Sequence, residues 1–450
     1  MRCTVFGTGY LGTTHAICMA ELGHHVLGVD TDPGKITKLS SGQLPFYEPD
    51  LEPLLRRNLA VGRLHFTTSY PDAAQFADLH ILTVGTPSAA DGHTADLTDL
   101  YAVANQLAAL IERPAVILGK STVPAGTAAR LAAHLREQSP TCDFELAWNP
   151  EFLREGHALQ DALRPDRIVL GVDMERTLGR SRAEQQARHL YADQLKAGVP
   201  LVVTNLETAE LAKMAANAYL ATKISFINAI SDLCEGVGAD VRALADILGH
   251  DPRIGRFGLD AGIGFGGGCL PKDLRALAKQ AGELGAVDAA MLLREVEQIN
   301  LHRRVRVVDL ARQACGGSLR AAHVAVLGAA FKAESDDVRD SPALHVSAAI
   351  QQHGAFVTVY DPKALDNARQ SYPTLTFATT ITHACENADV VLVLTEWEQF
   401  AALNPDELTR LVRNRSIIDG RSSLDSTRWR EAGWAYRAPG IPKTCDQLSP

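Results

Sequence analysis

The stretch Val5-Phe6-Gly7-Thr8-Gly9-Tyr10-Leu11-Gly12 decides the fold. Its glycines, Gly7, Gly9 and Gly12, form a GxGxxG string between a short β-prone run at residues 3–6 and a helical pattern that continues through Leu22 to a stop at Gly23. The next strand, residues 25–29, ends at Asp30. Such a string alone is weak, but a strand before it, a helix after it and a carboxylate closing the next strand make it a dinucleotide-binding turn. The first glycine permits the tight turn, the second lets backbone approach a pyrophosphate, and the third lets helix and strand pack closely. Free N–H groups at the helix start then face the phosphates. Asp30 is placed for the adenosine ribose hydroxyls and repels a 2′-phosphate, so NAD is expected rather than NADP.

Outward from this turn the pattern repeats. Short apolar runs at residues 79–84, 115–118 and 168–172 read as buried strands, and strands alternating with helices argue for a parallel sheet covered on both faces. The middle differs: residues 206–237 fit one long helix, residues 288–315 another, and a Gly-rich loop, GLDAGIGFGGGCLPKD, lies between them. The last third returns to the first grammar, with strands at 323–327, 356–360, 389–394 and 416–418. VFGTGYLG, VLGVDTD and ADLHILTVGTP reappear in order as VLGAAFK, VTVYDPK and ADVVLVLTEW, a structural pseudo-repeat. The expected fold class is therefore α/β, with two Rossmann-like doubly wound parallel-sheet domains flanking a central helical domain. The boundaries expected are 1–203, 204–315 (Gly316 and Gly317 marking entry to the last domain), 316–440 and an irregular tail at 441–450.

Composition narrows the class. The 450 residues are 46% hydrophobic, ample for several cores, and the formal charge of -9 argues against broad binding to nucleic acid or anionic membrane. No apolar run reaches the ~18 residues of a membrane helix, and the N-terminus does not read as a signal peptide. The eight cysteines are scattered, with no CxxC pair and no zinc-like cluster, so no metal is expected. Reduced thiols in a cytoplasm fit this usage.

Cys269 stands apart. Three glycines precede it, and Lys272 and Asp273 follow it. A thiolate is a strong nucleophile that nearby positive charge favours. Beside a nicotinamide it has a definite use: an aldehyde has no hydride to lose toward the acid until something adds to it, and a thiolate adds to give a thiohemiacetal. Loss of hydride leaves a thioester for water to cleave. Lys213 and Asn217 lie four apart on one face of the long helix, amid apolar residues. A buried lysine there can do acid–base work; the alternative is a surface salt bridge to Glu210. Glu151 and Glu155, in NPEFLREG, offer a carboxylate for the hydrolytic water or else a solvated face. Thr122, in KSTVP, and VGTP at residues 84–87 end strands at the carboxyl edge where ligands bind.

Ordered motifs along nearly the whole chain carry a resemblance: GTGYLG, VDTD, FYEPDLE, VGTPSAADG, GKSTVPAGT, NPEFLREG, PDRIVLG, AELAKMAANAYLA, GFGGGCLPKD, GAAFKAESDDVRDSP and IDGR. The chain resembles the sugar-nucleotide 6-dehydrogenases of the UDP-glucose/GDP-mannose dehydrogenase family, and within it the branch acting on UDP-glucose. That resemblance implies two NAD-dependent oxidations at C6, giving UDP-glucuronate for polysaccharide biosynthesis, in a homodimer built through the central helices. The first domain would hold NAD and the last the UDP-sugar. By motif, Cys269 is the nucleophile, Lys213 stabilises the C6 oxygen with Asn217, Thr122 and Asp273, and Glu151 is the base for thioester hydrolysis. The resemblance places Gly7, Gly9, Tyr10, Leu11, Gly12, Asp30, Lys35, Thr86, Thr122, Glu155, Lys272 and Arg339 at the cofactor. It places Glu151, Phe152, Leu153, Lys213, Asn217, Gly266, Lys332 and Arg421 at the substrate, with Arg253 reaching it across the dimer interface. The family commonly has a basic residue, then Phe and Leu, before the glycine loop; here the stretch reads Arg256-Phe257-Gly258-Leu259-Asp260. Alternative readings are oxidation of GDP-mannose or a UDP-N-acetylhexosamine, or a single-step hydroxyacid dehydrogenase that uses Lys213 and does not need Cys269.

Overall fold

A computed structural model describes residues 1–174 and 181–441. Apart from Ile441, the tail expected at 441–450 lies outside the described residues. The chain packs as two compact units, Met1–Ala216 and Asn217–Pro450.

Among the described residues the first unit holds eight strands: β1 (Arg2–Phe6), β2 (His25–Val29), β3 (Leu64–Thr67), β4 (Leu79–Leu82), β5 (Ala115–Gly119), β6 (Phe144–Trp148), β7 (Ile168–Val172) and β8 (Leu201–Asn205). Their order in the sheet is β3-β2-β1-β4-β5-β6-β7-β8. The change of direction beside β1 is the switch point at whose carboxyl edge α/β sheets bind ligands. Every pairing is parallel except that of β6 with β7, which is antiparallel through Trp148 and Gly171. Side chains alternate across the sheet. Cys3, Val5, Val116 and Leu118 enter one core, with Ile17 and Leu170. Phe6, Ala115 and Ile117 enter the other, with Leu82, Leu131 and Trp148. Two covered faces explain the near-continuous apolar strands. Each fully buried Val, Leu or Ile contributes about 1.5–3 kcal/mol.

The second unit contains the helices Val241–Gly249, Leu270–Glu283 and Val287–Ala314, and an all-parallel six-stranded sheet. Its strands are β9 (His323–Leu327), β10 (Phe356–Tyr360), β11 (Thr376–Phe377), β12 (Val390–Val393), β13 (Ser416–Asp419) and β14 (Ala435–Arg437), ordered β11-β10-β9-β12-β13-β14. This repeats the arrangement around β1 in the first sheet. The long helix Leu206–Val237 starts directly after β8 and matches its expected span. One expectation is corrected. The glycine loop does not include LPKD: Cys269 is the N-cap of the Leu270–Glu283 helix, Pro271 sits in its first turn, and Lys272 and Asp273 are helical. Proline is favoured at a helix start because its missing N–H would have no partner there anyway.

Candidate active site

The turn after β1 is built on Gly7, whose φ of 93° falls in the left-handed region that glycine favours. A Cβ on Gly12 would run into the Gly7 carbonyl and the Thr83 hydroxyl, whereas one on Gly9 would meet open space. Gly9 is also exposed and caps the Tyr10–Glu21 helix without a side-chain bond. The third glycine therefore serves close packing and the second leaves backbone approachable, the cradle that a dinucleotide pyrophosphate fits. Asp30 stands beside it. Its Oδ2 accepts from Thr8 N (2.8 Å), Thr8 Oγ1 (2.9 Å) and Lys35 Nζ (2.9 Å), and its Oδ1 accepts from Asp32 N (3.1 Å). Burial raises the Asp30 pKa, but Lys35 and the N–H groups of Asp32 and Thr8 more than offset this and hold it below the usual range. The residues present fit NAD, and Lys35 belongs to the same cluster.

Tyr10 donates to Glu48, a residue the sequence reading left without a role. Glu48 is buried and also accepts from Gly156 N (2.7 Å) and Ala158 N (2.8 Å), tying the first helix to the end of NPEFLREG. Burial and the Glu48 and Glu155 charges push the Tyr10 hydroxyl well up. At the edge after β4 and β5, Thr86 Oγ1 donates to the Thr122 carbonyl at 2.7 Å, so these two hydroxyl residues meet as the strand ends suggested. Leu11 lies in the first turn of the first helix.

NPEFLREG is an irregular segment, not a helix. Its Glu151 pairs with Lys213, Oε1 to Nζ at 2.9 Å, with the two side chains 10% and 5% exposed. The solvated-face reading of Glu151 and the Glu210 partner for Lys213 are both corrected by this contact. Glu210 instead accepts from Gly126 N and Ala128 N, each at 2.6 Å, at the start of the Thr127–Gln138 helix. Spacing of three along a helix proposed that partner; only the tertiary fold brings in Glu151. Leu153 N donates to Glu151 Oε2 at 2.5 Å, and the Phe152 ring has Lys213 Nζ 5.7 Å and Arg167 Cζ 3.8 Å from its centroid. Two further residues escaped the sequence reading. Lys120, directly after β5, donates to Asn149 Oδ1 at 3.0 Å, and Asn149 directly follows β6.

In the second unit Cys269 is exposed, whereas Cys3, Cys18, Cys234 and Cys385 are buried. Burial pushes the thiols of Cys3 and Cys385 up to about 12. A helix N-terminus favours negative charge, and Cys269 occupies one. Asp273, in that helix's first turn, is buried and accepts from Asn217 Nδ2 at 2.7 Å. Lys272 Nζ lies 2.8 Å from Asp273 Oδ1, which has no aligned hydrogen-bond donor. The glycine loop is packed tightly: a Cβ on Gly268 would strike the Arg339 guanidinium, and one on Gly266 the Asp340 carbonyl. Asn300 clamps Phe265 through both backbone groups, at 2.7 and 3.0 Å. Arg421 donates to the carbonyls of Gly264 (3.0 Å), Leu394 (3.0 Å) and Phe331 (2.7 Å). Lys332 Nζ sits 5.7 Å from the Phe331 ring centroid. Arg253 is held by Asp251 at 2.6 Å and is otherwise exposed, while the altered stretch is braced by Arg256 to Asp246 (2.6 Å) and Asp260 (2.8 Å).

The predicted residues thus gather, unit by unit, into a glycine cradle with Asp30, a Lys213–Glu151 pair, a Cys269–Asp273–Asn217 group and an arginine-bound loop. The chain was compared with known proteins. It matches the models of the UDP-glucose/GDP-mannose dehydrogenase family: the NAD binding domain over residues 1–194, the central domain over 207–302 and the UDP binding domain over 325–426. It is 42% identical to a UDP-glucose 6-dehydrogenase of Rhizobium meliloti (strain 1021), covering 98% of this chain and 100% of that protein. UDP-glucose 6-dehydrogenase TuaD of Bacillus subtilis (strain 168) is 39% identical over 98% of this chain and 93% of its own. Among solved structures, a UDP-glucose dehydrogenase from Pyrobaculum islandicum aligns with a TM-score of 0.88 at 36% identity, covering 98% of each chain. A UDP-D-ManNAc dehydrogenase from Pyrococcus horikoshii aligns at 0.84 and 28% identity, covering 98% and 99%.

Proposed function

We propose that this chain, which belongs to the UDP-glucose/GDP-mannose dehydrogenase family, oxidises UDP-glucose twice at C6 and releases UDP-glucuronate. It is an NAD-dependent dehydrogenase. When bound, NAD supplies the hydride acceptor for each stage, so UDP-glucose, two NAD and water give UDP-glucuronate, two NADH and three protons. In the first stage Lys213, with Asn217 and Thr122, holds the C6 oxygen as its proton leaves. The Cys269 sulfur then bonds to the aldehyde carbon, giving a thiohemiacetal, and departure of the second hydride leaves a thioester on Cys269. Glu151 takes a proton from water as it attacks the thioester carbonyl, and the carbon–sulfur bond breaks to restore the thiol. Asp273 Oδ1, buried with acceptor capacity to spare, holds a water or hydroxyl in the same sequence.

The observation that carries this reading is the buried Lys213–Glu151 contact: an acid–base pair at 2.9 Å, fit to hand a proton to and from one oxygen. At the cofactor we place Gly7, Gly9, Tyr10, Leu11, Gly12, Asp30, Lys35, Thr86, Thr122, Glu155, Lys272 and Arg339. At the substrate we place Phe152, Leu153, Gly266, Lys332 and Arg421 beside Glu151, Lys213 and Asn217. A homodimer through the central segment, 204–315, with Arg253 contributed to the other copy, accords with the exposed Tyr219, Phe226 and Leu233 of the long helix. A cytoplasmic setting accords with the absence of disulfides among the described cysteines, and no helix among the described residues is long and apolar enough to cross a membrane. The 28% identity to a UDP-ManNAc dehydrogenase keeps an N-acetylated UDP-sugar as the second reading.

The test is an NADH assay on a panel of UDP-glucose, UDP-N-acetylhexosamines and GDP-mannose, with product mass. Two NADH per UDP-glucose and a carboxylic acid are expected. A single NADH with a free carbonyl product, or preference for another sugar, overturns the reading. Cys269→Ser is expected to stall after the first oxidation, and Glu151→Gln to accumulate a thioester on Cys269 visible by mass spectrometry.

A further inference from the structure

Lys120 is a buried cation that none of the roles above employs. Its residue is 7% exposed, and its ammonium has two acceptors, Asn149 Oδ1 at 3.0 Å and the Tyr191 hydroxyl at 3.4 Å. Neither is a carboxylate. The Tyr191 hydroxyl also donates to Asn149 Oδ1 at 2.6 Å, and the ammonium lies 5.9 Å from the Tyr191 ring centroid. His15 is a further titratable side chain near this group; burial, and then the Lys120 charge, drive it well below its usual range, so it stays neutral. A buried ammonium costs stability unless something uses its charge.

The local construction shows what it holds. Lys120 and Asn149 close adjacent parallel strands, and Asn149 N donates to the Gly119 carbonyl at 2.7 Å. Asn149 Nδ2 donates across to the Val169 carbonyl on β7 at 2.8 Å. Asn149 is thus pinned from β5, β7 and Tyr191 at the place where β6 stops and the segment carrying Glu151 begins. Two residues further on, Glu151 meets Lys213. Burial lowers the Lys120 pKa to about 8; the Glu151 charge acts to raise it and the Lys213 charge to lower it, so the three groups feel one another.

We infer that Lys120 is a positioning residue for Glu151: its ammonium fixes Asn149, and with it the entry to the irregular segment whose carboxylate Lys213 holds. The inference rests on the proposed role of Glu151 in thioester cleavage. Lys120 then serves the hydrolytic stage and leaves the first oxidation largely untouched.

The experiment compares full-length parent, Lys120→Met, Lys120→Arg and Glu151→Gln in single turnovers with UDP-glucose and NAD, quenched for mass spectrometry of the Cys269 peptide. Lys120→Met is expected to slow loss of the thioester by about tenfold to a hundredfold, with the first NADH formed at close to the parent rate. Lys120→Arg, which keeps the charge and can reach Asn149, restores most of the hydrolytic rate. The melting temperature of Lys120→Met is expected to equal or exceed the parent's, because the Tyr191 hydroxyl still satisfies Asn149 Oδ1 and a desolvated charge is gone. If Lys120→Met clears the thioester at the parent rate while Glu151→Gln accumulates it, the positioning role is wrong and the function stands. If Glu151→Gln accumulates none, the role of Glu151 fails and this inference falls with it. Equal slowing of both stages with a lowered melting temperature marks Lys120 as a core residue and also overturns the proposal.

Discussion

Asp30 and Asp361 occupy the same place in two different sheets. Each ends the strand beside the first strand of its sheet, and each accepts N–H groups from the turn after that first strand: Thr8 at 2.8 Å in one, Ala329 and Ala330 at 2.7 and 3.0 Å in the other. From there they diverge. Asp361 is buried, and its remaining capacity is taken by Trp397 Nε1 (3.2 Å), Lys363 N (2.9 Å) and Ala364 N (2.9 Å). Asp30 sits at the edge of solvent with Lys35. The turn follows suit. Gly7-Thr8-Gly9 corresponds to Gly328-Ala329-Ala330, so the position that leaves open space in the first sheet carries a buried methyl in the second. One strand-and-turn plan therefore yields a ligand cradle in one place and a self-satisfied corner in the other. The difference lies in burial: five donors close over Asp361, whereas the four around Asp30 leave it at the edge of solvent.

That contrast can be broken by experiment. Asp361→Ala strands five donors, four of them on buried residues, and each unsatisfied buried one costs about 1–3 kcal/mol, so the folded state should lose at least about 3 kcal/mol in denaturant unfolding. A stable Asp361→Ala protein would mean the corner is not self-satisfied. Asp30→Ala should cost less in unfolding than Asp361→Ala and weaken NAD by about tenfold to a hundredfold, the worth of a charge-assisted hydrogen bond or two, with a much smaller effect on NADP. Titration calorimetry with both coenzymes reads this, and equal losses for the two would remove Asp30 from the ribose. A third carboxylate extends the series. Glu210 is buried with only two N–H donors, and burial, opposed by those donors, pushes its pKa up to about 7. A raised acid pKa means the folded state holds the proton more tightly. The corresponding stability is fully present below the unfolded value near 4.5 and is lost as pH rises through about 7. Glu210→Gln should flatten the unfolding free energy between pH 5 and 8 by on the order of 1–2 kcal/mol; a profile that keeps the parent's slope assigns it to other groups.

The parts of the molecule legible in the sequence were those fixed by local pattern. The strands at 25–29, 168–172, 323–327 and 356–360 have the expected bounds, because short apolar runs ending in Gly or Asp leave little choice. The glycine turn and Asp30 were legible for the same reason. What stayed hidden depended on distant chain. Glu151 is 62 residues before Lys213 in the numbering, and no periodicity along the helix could prefer it to Glu210, three places away. The antiparallel β6–β7 pairing leaves no mark in either strand's composition. The helix after Cys269 was readable in principle: Pro271 and Asp273 in a first turn are a start signal, masked here by the run of glycines before them. Lys120 lay in a quoted motif, but a lysine beside a strand end looks solvated until its burial is known.

The capped position of Cys269 also sets how the enzyme ages. The other described thiols are buried or half-buried, and burial raises the pKa of each, so each stays in its unreactive protonated form. An alkylating agent therefore meets one exposed thiol among the described residues, and peroxide meets that thiol together with the exposed Met174 and Met291.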